Sequence, residues 1–220
     1  MLAAILLAAG AASASFPAVG TYRYSASLSG QRLGEWSVTV KPAKNGTEVD
    51  ENSSATFAGM QLTATASLVL GTDLAPVSYT GSYHTPMQSS TVSVVVTPAT
   101  ATVAGGMGGT TRTLALQSNT RHFVVIEPAL LAGLFALPAQ LQAWGDAAVT
   151  WIAPVTGQAQ TISRDSSSAN PVRPSGVAPT DVAIAMQGQI PFTIWYDPAT
   201  LVPDEVIVPS QNAVLIRERP

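Results

Sequence analysis

Few residues in this chain have the type and spacing that chemistry needs. The two histidines, His84 and His122, lie far apart, and neither sits in an H-x-H or H-E-x-x-H pattern. A catalytic zinc takes about three protein ligands, so both are read as surface or strand-end histidines. The chain contains no cysteine, which excludes disulfides, thiolate catalysis, Cys-ligated zinc and the acylated Cys of a bacterial lipoprotein. There is no G-x-S-x-G elbow, and a Ser–His–Asp triad from scattered residues is recognised only by its geometry. Asp50-Glu51 and Asp204-Glu205 are adjacent acidic pairs. Neighbours on a strand point to opposite faces, so neither pair makes a dyad, and both are read as solvated charges near strand ends. Glycosidase chemistry needs two inward carboxylates at a fixed separation, whereas the inward positions here are apolar. Gly105-Gly106-Met107-Gly108-Gly109 lacks the Gly-Lys-Ser/Thr of a phosphate loop and reads as a loose hairpin tip. The sequence therefore assigns no catalytic residue, no metal ligand and no cofactor.

The net charge is -3 and the cations are scattered singly, as at Arg23, Arg32, Lys41, Lys44, Arg112 and Arg121. Binding a phosphate backbone requires clustered cations, so nucleic acid is not expected as a partner. What remains to do work is apolar surface. Hydrophobic residues make up 46% of the 220 residues and charged residues only 10%, so the polar faces must be built from Ser, Thr, Gln and Asn.

The elements that would position this surface are strands. In residues 60–70 the even positions Met60, Leu62, Ala64, Ala66, Leu68 and Leu70 are apolar, and the odd ones are polar until Val69. A strand sends successive side chains to opposite faces, so such a segment has one dry face and one wet face. The same alternation recurs along the chain: Tyr22, Tyr24, Ala26 and Leu28; Trp36, Val38 and Val40; Val77, Tyr79, Gly81 and Tyr83; Val92, Val94 and Val96. Lys44-Asn45-Gly46 is a hairpin signal, because Asn-Gly adopts the positive φ of a type I′ turn.

The exception is the stretch at about residues 127–144. Leu130, Leu131, Leu134, Phe135 and Leu137 recur at i+3 and i+4, and Pro128 suits a first helical turn. Pro138 is expected to end or kink this helix and open a second short turn through Leu141 and Trp144. Apolar on nearly all sides, the segment should be buried. The expected fold is all-β and mostly antiparallel: a curved sheet or half-open β-barrel, capped or plugged by one or two short helices.

Leu2 to Ala9 form a short apolar run and Ala12-Ser13-Ala14 an A-x-A cleavage site, so residues 1–14 read as a signal peptide, with periplasmic or secreted localisation. No Lys or Arg precedes that run, so either the true start lies upstream or the signal is minimal. No later segment reaches transmembrane length. Residues 15–220 read as a single domain with a long Ser/Asn/Pro/Gly loop at 165–179.

Small inward residues such as Ala26, Ala64, Ala66, Gly81 and Ala101 leave volume over a curved sheet. Either the helix fills that volume, or it is a cavity for an apolar ligand. For a ligand, the candidate wall residues are Tyr22, Tyr24, Trp36, Leu62, Ala64, Tyr79, Tyr83 and Trp195, with Leu130, Leu134 and Phe135 as part of a gate.

The opening Thr21-Tyr22-Arg23-Tyr24 strand, the Gly34-Glu35-Trp36 of a first hairpin and the late run Ile194-Trp195-Tyr196-Asp197-Pro198-Ala199-Thr200-Leu201-Val202-Pro203 together resemble uncharacterised exported bacterial domains similar in fold to the LolA/LolB lipoprotein carriers. The resemblance implies a half-open antiparallel barrel lidded by short helices over an apolar cavity. The chain departs from LolA in lacking a basic entry site and from LolB in lacking the lipidated Cys, so the shape transfers more readily than lipoprotein sorting. The expected function is binding of a lipid or acyl chain in the curved sheet of an exported envelope protein. The alternative is a non-catalytic structural or interaction module with a filled core.

Overall fold

A computed structural model describes residues 16–57, 59–106, 109–127, 130–166 and 171–219. The signal-peptide reading of residues 1–14 and the placing of Pro128 in a first helical turn lie outside the described residues. The strands are β1 (Gly20–Leu28), β2 (Gln31–Ala43), β3 (Gly46–Phe57), β4 (Met60–Gly71), β5 (Pro76–His84), β6 (Ser89–Val96), β7 (Thr100–Gly105), β8 (Arg112–Ala115) and β9 (Phe123–Val125). After the helix α1 (Ala132–Trp144) come β10 (Ala148–Ala153), β11 (Gln158–Arg164), β12 (Val182–Gln187), β13 (Phe192–Tyr196), β14 (Pro203–Val208) and β15 (Ala213–Glu218).

All 15 strands belong to one unclosed sheet, in the order β8-β7-β6-β5-β4-β3-β2-β1-β15-β14-β13-β12-β11-β10-β9. Two antiparallel meanders are thus stitched together where the first strand meets the last, in a register that opposes Tyr24 to Arg217 and Ala26 to Leu215. The expected curved antiparallel sheet with a short helix is present.

One pairing breaks the antiparallel rule: β9 runs parallel to β10, with Val124 opposite Trp151. Parallel neighbours cannot be joined by a tight turn and need a crossover, usually a helix. The helix α1 is that crossover. The two edge strands do not join by a ladder. The segment between them bridges the seam instead: Gln117 N–H donates to Thr150 Oγ1 at 3.1 Å and Thr161 Oγ1 donates to Asn119 Oδ1 at 3.0 Å.

The core lies between the concave face and α1. Residues 132–141 are all buried, and the helix packs over β3, β4, β9, β13 and β14. The small concave residues Ala26, Ala64, Ala66 and Ala101 are buried in the same cluster as Leu134, Phe135 and Leu137. The helix closes in a left-handed turn at Gly145 (φ 66°), whose N–H donates to Leu141 O at 3.0 Å.

The structure corrects one expectation about this helix. Pro138 lies inside it, and the helical turns run on to Trp144 without a second start. An interior proline removes one hydrogen bond and costs about 3 kcal/mol in an isolated helix. Here the helix is enclosed in apolar contacts, and tertiary burial outweighs propensity.

Gly133 lets α1 sit this close. A Cβ at that position would strike the Val125 carbonyl oxygen, which is backbone and cannot swing away. Gly133→Ala is therefore expected to destabilise by about 1–3 kcal/mol, although alanine favours a helix by about 1 kcal/mol over glycine. Urea denaturation checks the sign; a more stable variant would mean that α1 does not press on β9.

Candidate functional site: the trough and its two openings

Along the concave face the alternation puts Tyr24, Trp36, Ala64 and Tyr79 fully inside, with Leu130, Leu134 and Phe135 packed over them. Tyr22, Leu62 and Tyr83 are half-buried nearer the rim. Tyr24 donates its hydroxyl to Pro203 O at 2.8 Å. The Tyr22 ring meets Phe135 at 5.1 Å between centroids. Tyr79 lies back across Gly81, where a Cβ would come within 2.9 Å of the phenol oxygen, and this brings its hydroxyl to 3.5 Å from that of Tyr83. Burial pushes both phenols upward, Tyr79 the further.

Trp195 stands apart from the other candidate wall residues. It is buried, but its neighbours Ile194 and Phe192 hold the concave side, and the Arg173 guanidinium lies over the indole at 4.8 Å. It belongs to the convex face.

Two carboxylates are buried at the trough, and one of them, Glu51, is expected from the sequence to be solvated. Glu51 is 1% exposed. Its Oε2 accepts the backbone N–H groups of Leu131 and Ala132, both at 2.7 Å, and so binds the first turn of α1. Its Oε1 is buried without a partner. Desolvation pushes this carboxyl up to about 8, against the downward pull of the two N–H groups. Glu127 is mostly buried, accepts Val155 N–H at 3.0 Å through Oε2, and is pushed upward by desolvation. Glu51 was legible in one respect: it shares strand parity with the inward Val49 and Ala55.

The adjacent acidic pairs are therefore not solvated as expected. Asp50 does point outward, to Lys41 at 2.6 Å, but Glu51, Asp204 and Glu205 are buried. Asp204 is held by Arg217 at 3.2 Å and Arg219 at 2.8 Å. Glu205 faces Trp195 across the convex side, and desolvation alone raises its pKa. A group whose folded pKa is raised gives stability that is full at low pH and lost as pH rises. Glu205→Gln is expected to raise the Tm by a few degrees at neutral pH and leave it nearly unchanged at about pH 4; thermal melts at both pH values decide.

The trough opens at both ends of α1. At the C-terminal end a cleft of about 330 Å³ is lined by Asp73, Val77, Val96, Arg121, His122 and Phe123 among others. His122 stacks on Trp144 at 4.3 Å and shares a hydrogen bond of 2.6 Å between its Nδ1 and Asp146 Oδ2. No hydroxyl is hydrogen-bonded to the other ring nitrogen among the described residues, so this is a His–Asp pair without a placed nucleophile. His84 is exposed, and its Nδ1 shares a hydrogen bond of 2.7 Å with Ser89 Oγ. At the N-terminal end, an opening of about 430 Å³ lies beside the turn that joins β10 to β11.

Among the described residues no group of three His, Asp or Glu could hold a metal ion, and no helix is long and apolar enough to cross a membrane. Comparison of the chain with protein-family models, with characterised proteins and with solved structures finds no match.

Proposed function

We propose that this is an exported carrier or sensor of an apolar molecule, such as a lipid or acyl chain, and that α1 is a plug which the ligand displaces from the trough. One observation carries the reading: a helix with ten consecutive buried residues occupies the concave face of a sheet that does not close. The plug has the character that an apolar guest would need. Burying a chain there would gain about 25 cal/mol per Å² of apolar surface, offset by the contacts that the helix gives up. The polar attachments of α1 lie near its ends: Glu51 at the start, and Gln140 to Leu74 O (3.0 Å) and Arg164 to Leu141 O (3.1 Å) near the finish. Such a helix can leave as a unit.

The second reading, an envelope module with a permanently packed core, is favoured by the near-complete burial of Tyr24, Tyr79 and Phe135. Titration with lysolipids and fatty alcohols, followed by tryptophan fluorescence, separates the two. Trp36 and Trp151 lie in the trough and report its occupancy. A saturating change is expected; no response to any chain length would leave the packed module.

A further inference from the structure

The opening beside the first turn of α1 has a chemistry of its own. It is lined by Glu127, Trp151, Gln158, Gln160, Gln189 and Ile190 among others, and its volume of about 430 Å³ suits a small ligand. Trp151, Gln158 and Gln160 project from the concave face of β10 and β11, on the side of Val149 and Ile162. The site therefore lies on the same face of the sheet as the trough.

We propose that this opening seats the neutral, hydroxyl-bearing head group of an amphiphile whose chain enters the trough. The assignment rests on the carrier reading above and adds the class of ligand. Three observations point to it. First, the side-chain amides of Gln158, Gln160 and Gln189 make no hydrogen bond among the described residues, and each offers two donors and an acceptor. Second, Glu127 is 8% exposed, and its Oε1 has no partner among the described residues while Oε2 is held by Val155 N–H at 3.0 Å. A mostly buried acceptor left open towards a cavity calls for a donor, and a hydroxyl supplies one. Third, among the described residues no Lys or Arg lines the opening. Arg112 approaches the same turn, but it donates to Thr156 O at 3.5 Å and is not part of the lining.

These features select by exclusion as well as by contact. A carboxylate or phosphate head would meet Glu127, with Glu51 beyond it, and find no compensating cation. Such an unpaired contact discriminates strongly in a partly desolvated site. A hydroxylated head exchanges its water hydrogen bonds for those of the three amides and Glu127 and loses little.

The test compares three amphiphiles that share one chain: monolauroylglycerol, laurate and dodecylamine. Each is titrated below its micellar concentration at mildly alkaline pH, with tryptophan fluorescence as readout. Monolauroylglycerol is expected to bind at least about tenfold more tightly than laurate. The double variant Gln158→Ala with Gln160→Ala should weaken monolauroylglycerol about fivefold and leave laurate unchanged. Glu127→Gln should narrow the gap between the two. Laurate binding equally well, or dodecylamine binding most tightly, would overturn the head-group assignment and leave the carrier standing. Unchanged monolauroylglycerol affinity in the glutamine variant would also overturn it, by placing the head elsewhere. No binding of any of the three would bring down the carrier reading and the site with it.

Discussion

Glu51→Gln is expected to abolish most of the pH dependence of stability between about pH 5 and pH 8. Two effects compete at this carboxyl. The open N–H groups at a helix start favour a negative charge by about 0.3–2 kcal/mol. Complete burial disfavours it by several kcal/mol. Burial wins, and the group titrates at about 8 in the folded protein against about 4.5 as its ordinary value. Folding at neutral pH therefore takes up a proton. The associated stability is full below the unfolded value, declines as pH rises, and is gone once the folded group has ionised near 8. A separation of this size corresponds to as much as about 5 kcal/mol across the window. Glutamine presents the same acceptor oxygen to Leu131 and Ala132 and carries no charge, so the variant should overtake the parent as pH rises. Urea denaturation at acid, neutral and alkaline pH measures it. Parallel slopes for the two proteins would mean that Glu51 is hydrated and does not hold the helix dry.

Stability and the seating of α1 are linked through the same contact. Ionising Glu51 places a desolvated charge at the residues where α1 begins. Glu127 and the Tyr79 and Tyr83 phenols, on which both carboxylates act, are also pushed upward by desolvation. At neutral pH Glu51, pushed up to about 8, holds the start of α1 largely in its neutral, hydrogen-bonding form.

What the sequence makes legible here is local. The alternation of Met60, Leu62, Ala64, Ala66, Leu68 and Leu70 locates β4, and Lys44-Asn45-Gly46 locates the turn between β2 and β3. Each signal is complete within a dozen residues. The closing pair β1–β15 is not legible, because nothing within either strand names so distant a partner. Nor is the parallel β9–β10 pair, since three residues carry too little pattern to show a direction.

The site was legible in part for a related reason. Aromatic and aliphatic wall residues follow strand parity, so Tyr24, Trp36, Ala64 and Tyr79 fall where alternation puts them. Trp195 obeys parity too, but of the opposite sense to Ile194, and its burial comes from residues beyond its own strand. Glu51 was hidden by the assumption that acidic residues are solvated. Its parity with Val49 was visible, while its partner, the start of α1, is 80 residues away.

Phe135→Ala is expected to cost about 3–5 kcal/mol, the usual toll for emptying a large buried aromatic site. Phe135 is fully buried in the first turn of α1, and its ring packs on Tyr22 at an interplanar angle of 47°. The surrounding sheet is continuous and hydrogen-bonded, so it can collapse only partly into the void. An apolar void of this kind stays dry and accepts small apolar guests. The variant should therefore bind benzene-sized molecules that the parent does not, seen as a rise in Tm with added ligand. The carrier reading predicts something further. If α1 is displaced on loading, weakening its hold on the sheet lowers the work of displacement, and lipid affinity should rise as stability falls. Under the packed-module reading the same substitution lowers stability and creates no lipid site. Thermal melts of parent and variant, with and without monolauroylglycerol, distinguish the two: a larger ligand-induced shift in the variant supports a plug, and no shift in either protein supports a core.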